Sequence, residues 1–155
     1  MVKKIKKKEC VMPGKKGAVL FLLCISANSF AAGVPFEHLI RDQCADRYFS
    51  QVEVQSCVRK HAADSRTVLQ KARTQAAAEI RQWDEETGYK DAALKKYEAA
   101  EKSFAAYRDR YCDWAASLGG GAIGTALEMR KNACIAEQNR THAGQLREMI
   151  KNRFE

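Results

Sequence analysis

Proline is absent after Pro35, and this absence constrains the fold more than any other feature of the sequence. Residues 36–155 are rich in alanine, lysine, arginine, glutamate and glutamine, which are strong helix formers. This part of the chain also lacks the long alternating β-branched runs that would indicate strands. The sequence therefore predicts an all-α protein.

Turn and capping residues divide the helical region into four segments. Ser50 with Glu53, and Thr125 with Glu128, each match the capping-box pattern that begins a helix. Gly88 is expected to end the second helix, and a glycine-rich segment ends the third. The predicted helices span residues 36–49, 51–86, 91–118 and 126–152, which together are the size of one domain.

Residues 1–31 have the layout of a secretory signal peptide. Seven lysines precede or flank the start of an uncharged apolar run at residues 17–26, and small residues follow that run. The run is shorter than the roughly 20 residues that a membrane-spanning helix needs. We expect cleavage near residues 31–33. Met12 is an alternative start, and lipidation at Cys24 or an uncleaved anchor are the alternatives to cleavage.

Cleavage would leave residues 32–155 as a single domain in the periplasm or secreted, with no stable membrane anchor. The whole chain carries a net charge of +8, which would suggest a nucleic-acid partner. Residues 32–155, however, carry 20 basic and 18 acidic side chains. Because the excess positive charge lies in the leader, we expect no nucleic-acid partner.

Four cysteines remain after the leader, and an even number in a small exported domain predicts disulfides. Each predicted capped or glycine-rich turn lies between two of them, so antiparallel helix pairs would bring the partners level. The predicted pairs are Cys44–Cys57 and Cys112–Cys134. A zinc site or a nucleophilic thiol is the alternative, but no close cysteine pair or histidine cluster supports either. The sequence thus predicts no metal and no cofactor.

Apolar residues recur at helical spacing in the three long segments and predict the core. In the second helix this face comprises Val54, Val58, Leu69, Ala72, Ala76, Ile80 and Trp83. In the third it comprises Leu94, Tyr97, Phe104, Tyr107, Tyr111, Trp114 and Leu118. In the fourth it comprises Leu127, Cys134, Leu146, Met149 and Ile150.

The segment FAAYRDRYC, residues 104–112, resembles the aromatic-x-x-Tyr-Arg-Asp-x-x-Cys signature of the LprI-like lysozyme-inhibitor family. The later Cys134 and Leu146, and the earlier cysteine pair, are also similar to that family's. Asn139 and His142 stand where threonine and arginine are usual. The resemblance is strongest over residues 104–146 and implies a small, helical, disulfide-bonded envelope protein.

The family-motif residues Phe104, Tyr107, Arg108, Asp109 and Leu146 are expected to serve the fold. We predict that Phe104 and Tyr107 are buried, and that Arg108 and Asp109 are not both buried. Neither of these two charges has an intrahelical partner of opposite sign four residues away, so Arg108 is expected to reach another helix.

The resemblance implies a protein that binds and inhibits a lysozyme or related peptidoglycan hydrolase, including an immunity protein against a rival's toxin. The alternative is a helical periplasmic module for structure or stress with no hydrolase target. Neither hypothesis makes the protein an enzyme. A candidate partner-binding loop contains Leu118, Gly119, Gly120, Gly121 and Ile123, whose glycines allow close approach of another molecule. The alternative for these glycines is that they only permit the bend.

Overall fold

Residues 36–154 are described by a computed structural model and fold into four helices. These are α1 (Phe36–Arg47), α2 (Gln51–Gln82), α3 (Thr87–Ser117) and α4 (Gly124–Phe154). No strand occurs among the described residues, so the all-α prediction is confirmed. The predicted signal peptide and its cleavage site lie outside them. None of the four helices is both long and apolar enough to cross a membrane.

Ser50 caps α2 as predicted. Its hydroxyl accepts a hydrogen bond from the backbone N–H of Glu53 at 3.3 Å. The same hydroxyl donates to the Glu53 carboxylate at 2.6 Å. One half of the capping box is therefore formed, because the carboxylate binds the hydroxyl of Ser50 rather than its backbone N–H. The cap fixes the point at which the chain reverses between α1 and α2.

The capping box predicted at the start of α4 is wrong. α4 begins at Gly124, and Thr125 lies inside its first turn. The carboxylate of Glu128 instead accepts hydrogen bonds from Gln55 and Arg59 of α2, at 2.8 to 3.1 Å. Local sequence could not predict this contact, because its partners are about 70 residues apart along the chain.

The turn between α2 and α3 comes earlier than predicted and spans residues 83–86. α2 ends at Gln82 because the backbone of Trp83 leaves the helical conformation, with ψ at 134°. We expected Gly88 to end α2, but it lies in the first turn of α3. The ring of Trp83 lies 5.2 Å from the guanidinium of Arg153 in α4. This cation–π contact ties the turn to the far end of α4.

The three long helices run up, down and up. Contacts between α2 and α4 join residues with a nearly constant separation in sequence, 73 for Gln55–Glu128 and 74 for Ser65–Asn139. A constant separation means that these two helices are parallel. α3 connects them and runs antiparallel to both, while the short α1 lies against the first half of α2 and α4.

α4 is the central helix, and it contacts each of the other three. Four consecutive residues, 133–136, are buried in it, which requires neighbouring helices on several sides. Alanine is frequent where α2 meets α4, and its small side chain allows the two backbones to approach closely. The buried apolar residues outside the disulfides include Ile40, Val58, Ala62, Leu69, Ala72, Ala76, Ala133, Ala136, Ala143, Leu146 and Ile150.

The predicted core face is confirmed for most of α2 and α4. Val58, Leu69, Ala72 and Ala76 are buried in α2, as are Cys134, Leu146 and Ile150 in α4. The prediction is wrong for Met149, whose side chain is 67% exposed. Met149 is turned by about 100° from Ile150 around the helix, and Ile150 faces the core.

The predicted core face of α3 is wrong for Tyr107, Trp114 and Leu118, while Leu94, Tyr97, Phe104 and Tyr111 are partly buried. Only Cys112 and Ala116 are buried in this helix. Tyr107 and Trp114 are 56% and 57% exposed, and Leu118 is exposed as well. Cys112 lies five positions after Tyr107 in the helix, which places their side chains about 140° apart around the axis. Because the disulfide turns Cys112 toward α4, Tyr107 faces solvent.

Candidate functional site

Two disulfides hold the helices together, and both have the predicted pairing. Cys44–Cys57 joins α1 to α2 with a Cα–Cα distance of 5.8 Å, and Cys112–Cys134 joins α3 to α4 at 5.6 Å. Each bridge crosses a turn between antiparallel helices. Each therefore fixes both stems of the turn that it closes.

The two closed turns lie at the same end of the bundle. α2 and α4 are parallel, and Gln55 and Glu128, which bind each other, both lie four residues after the first residue of their helices. The turn before α2 is thus level with the loop before α4. We call residues 48–52 and 118–123 together the disulfide end.

Four large apolar side chains are exposed at the disulfide end. Phe49 and Val52 flank the first turn, and Leu118 and Ile123 flank the glycines of the second; each is at least 66% exposed. Single exposed apolar residues are ordinary, but a group of them at one end of a small domain makes that end a candidate interaction surface. Sequence reasoning identified Leu118 and Ile123 but missed Phe49 and Val52. The sequence did carry a signal for Phe49. It is an apolar residue directly before the cap Ser50, and it belongs to none of the predicted core faces.

Local geometry explains two of the glycines in the loop. A Cβ on Gly119 would lie 2.6 Å from the end of the Leu127 side chain and 3.2 Å from the Ala116 carbonyl oxygen, so Leu127 would have to move to admit one. Gly120 has φ of 58°, which other residues rarely adopt. A Cβ on Gly121 would meet no atom within 4 Å. The bend therefore requires Gly120 and packs tightly around Gly119, whereas Gly121 leaves an open stretch of backbone beside Ile123.

A row of three aromatic rings runs along the exposed side of α3 toward this loop. The ring of Tyr111 lies 5.5 Å from that of Tyr107 and 5.6 Å from that of Trp114. We call these three residues the aromatic row. The acidic residues beside it are engaged, since Asp109 pairs with Arg108 and Asp113 with Lys131. The row is thus an apolar surface whose flanking carboxylates are neutralised.

The motif residue Arg108 belongs to the interior rather than to this surface. Its guanidinium donates to Asp109 on the same helix and to Asn139 on α4, the latter at 2.9 Å. Asn139 in turn donates to the hydroxyl of Ser65 on α2. The prediction that Arg108 reaches another helix is confirmed, and Asp109 remains exposed as expected.

Phe104 takes part in a second polar contact between helices. It is partly buried rather than fully buried, and its ring stacks on His142 at 3.8 Å. His142 donates to Glu101, which also pairs with Arg73 of α2. Burial, followed by the nearby Glu101 carboxylate, raises the pKa of Tyr97 to about 12. These groups are engaged with one another and explain how α3 is held to α2 and α4.

His61 lies beside the first disulfide. The ligand atoms of Cys44, Cys57 and His61 lie within 4.8 Å of one another, a spacing that could suit a metal ion. The two sulfurs are bonded to each other, however, and so do not act as ligands in this oxidised form. Burial lowers the pKa of His61, and the positive charge of Arg140 lowers it further. Arg140 Nη2 donates to His61 Nδ1 at 3.1 Å.

Comparison with known protein families gives a match over most of the described residues. The family model described as lysozyme inhibitor LprI matches residues 43–146, which include both disulfides and the loop between α3 and α4. No curated protein and no solved structure matches the chain. The matched segment covers well over half of the sequence, and so this chain belongs to the LprI lysozyme inhibitor family.

Proposed function

We propose that this protein is an exported, non-enzymatic binding protein that inhibits a lysozyme or a related peptidoglycan hydrolase. The observation that carries the proposal is the loop at residues 118–123, which exposes Leu118 and Ile123 and is closed at its base by Cys112–Cys134. Membership of the LprI family supports an inhibitory role. The leader-like sequence of residues 1–31 supports export to the periplasm or beyond.

The proposed mechanism is insertion of this loop into the substrate cleft of the hydrolase. Leu118 and Ile123 supply an apolar tip, and the open backbone at Gly121 lets the cleft wall approach closely. The disulfide keeps the two stems fixed in the free protein, so little conformational entropy is lost on binding. A net charge near zero for residues 32–155 indicates that shape and apolar contact contribute more than long-range steering.

The test is to measure clearing of a peptidoglycan suspension by a panel of lysozymes and bacterial hydrolases with the protein added. Ile123→Asp is expected to abolish inhibition, because it places a charge at the apolar tip. Met149→Asp is a matched control, since Met149 is equally exposed but lies near the far end of α4. Circular dichroism checks that both variants remain helical.

Equal inhibition by the wild type and Ile123→Asp would exclude the loop as the inhibitory element. Absence of inhibition of any hydrolase by the wild type would contradict the proposed function. That result would favour a helical envelope module without a hydrolase target.

A further inference from the structure

The two disulfides differ in their access to solvent. Cys112 and Cys134 are both buried, with at most 2% of either residue exposed. Cys44 is completely buried as well, but Cys57 is partly exposed. Cys57 also lines a pocket of about 450 Å³, whose other wall residues are Gln43, Asp46, Arg47 and His61. Among the four disulfide cysteines, Cys57 is therefore the one most open to a molecule in solution.

Positively charged side chains surround this disulfide. A ring nitrogen of His61 lies within 4.8 Å of the sulfurs of Cys44 and Cys57. Arg140 donates to His61 at 3.1 Å, and the charges of Arg140 and Arg47 both act on the His61 ring. Because the ring is so close to the sulfurs, the same charges act on them. A thiolate formed from this disulfide would be stabilised by these charges.

The neighbouring acidic groups offset this positive charge only in part. Asp64 also acts on His61, but it forms an ion pair with Lys60, whose amine lies 3.0 Å from its carboxylate. Asp46 is the carboxylate in the pocket wall, and two guanidinium groups stand against it. The surroundings are thus net positive, which favours a sulfur anion and opposes a metal cation at the same place. Reactive cysteines are found in partly exposed, positively charged surroundings of this kind.

We propose that Cys57 is a site of thiol–disulfide exchange, at which a dithiol reduces Cys44–Cys57 while Cys112–Cys134 stays intact. A thiolate of the dithiol attacks the sulfur of Cys57, the bond to Cys44 breaks, and Cys44 leaves as a thiolate that takes up a proton. The second thiol of the dithiol then attacks the mixed disulfide and releases Cys57 as a thiolate. The dithiol is oxidised by two electrons, and the protein disulfide is reduced by two.

Reduction at Cys57 would act on one part of the disulfide end. Cys44–Cys57 fixes the stems of the turn at residues 48–52, whereas the loop at residues 118–123 is held by the other bridge. A reduced protein would therefore have a looser α1 and first turn but an unchanged loop. This inference does not rest on the proposed function, because it concerns the chemistry of the disulfide alone.

The experiment follows reduction of the folded, full-length protein by dithiothreitol. The free thiols of Cys10 and Cys24 are first blocked with iodoacetamide. New thiols are then trapped with N-ethylmaleimide over time and located by mass spectrometry. We expect Cys44–Cys57 to open at least ~10-fold faster than Cys112–Cys134, while circular dichroism shows that the helices remain. In 6 M urea the two rates should come within about 3-fold, because unfolding exposes all four sulfurs.

Glutathione, a monothiol, identifies the sulfur that is attacked. We expect it to form a mixed disulfide with Cys57 and to leave Cys44 labelled by N-ethylmaleimide. A mixed disulfide mainly on Cys44 would overturn the inference. So would equal rates for the two disulfides in the folded protein, or a difference that persists in urea.

The role of the positive charges has its own variant. Arg47→Gln is expected to slow the attack of glutathione by about 2-fold to 5-fold, because it removes a charge from the pocket wall. Arg81→Gln is the matched control and should keep the wild-type rate, since Arg81 is an exposed arginine in the last turn of α2. An equal rate in wild type and Arg47→Gln would contradict the part assigned to these charges.

Discussion

Arg108 on α3 donates a hydrogen bond from Nη1 to Oδ1 of Asn139 on α4 at 2.9 Å. Asn139 donates from its amide nitrogen to the hydroxyl of Ser65 on α2 at 3.0 Å, and Ser65 donates to the carbonyl of Ala62. Asn139 and Ser65 are completely buried. One hydrogen-bonded chain therefore crosses all three long helices, and it fixes the register of α2 against α4 where the surrounding contacts are apolar.

Replacing Asn139 with alanine is expected to destabilise the protein by about 1–3 kcal/mol, because Arg108 and Ser65 would each lose a buried partner. Urea unfolding measures the change. Asn152→Ala is the control, since Asn152 is exposed near the end of α4 and its loss should cost under about 0.5 kcal/mol. A loss of similar size in both variants would mean that the chain of hydrogen bonds contributes little.

Removing each disulfide should lower the free energy of unfolding, and the loss should depend on the length of the segment that the disulfide closes. Each double Cys→Ser variant is expected to lose about 2–4 kcal/mol, mainly because the unfolded chain gains freedom. The bridge Cys112–Cys134 closes the longer segment, 22 residues against 13 for Cys44–Cys57, and its removal should cost about 0.5 kcal/mol more. Guanidinium unfolding of the two variants tests this order, and the reverse order would indicate that strain or residual structure dominates.

The pairing of these cysteines could be predicted because both turns carry local signals. Ser50 and the glycines at 119–121 mark reversals in the chain, and reversals of helices bring flanking cysteines level. The exposed side of α3 could not be predicted in the same way. Its apolar spacing fits a buried face, but the disulfide turns Cys112 toward α4 and leaves Tyr107 and Trp114 of that face in solvent. Likewise, Glu128 matches a helix cap locally and is instead held by Arg59, a partner that only the folded chain supplies.

The glycines of the loop should differ in their tolerance of alanine. Gly119→Ala is expected to destabilise the protein by about 1 kcal/mol, because the end of the Leu127 side chain must move and the new Cβ lies 3.2 Å from the Ala116 carbonyl oxygen. Gly120→Ala should cost about 1 kcal/mol through its positive φ. Gly121→Ala is the matched control and should leave the melting temperature nearly unchanged, since its Cβ would enter open space. A loss at Gly121 equal to that at Gly119 would contradict this account of the loop.

Stability should fall at high pH through Tyr97. Its pKa is raised to about 12 in the folded protein from 10 in the unfolded chain, so above pH 10 the unfolded state gives up its proton first. The contribution is complete below pH 10 and is lost as pH rises toward 12. Tyr97→Phe should remove the dependence in this window, and thermal melts at pH 8, 10 and 11 compare the two proteins. An identical decline in both would assign it to other groups.

The aromatic row should matter for binding and not for folding. Tyr107 and Trp114 are more than half exposed, so replacing both with alanine is expected to change stability by less than about 1 kcal/mol. If the inhibited hydrolase covers this side of α3 as well as the loop, the same variant should bind it at least ~10-fold more weakly, because exposed aromatic residues often dominate an interface.

Tyr89→Ala is the matched control for the aromatic row, since Tyr89 is similarly exposed but lies at the opposite end of α3. Thermal melts and binding measured by calorimetry separate the two effects. Full affinity in the Tyr107→Ala/Trp114→Ala variant would confine the interface to the disulfide end. A large loss of stability would instead show that the rings pack against their own helix more than their exposure indicates.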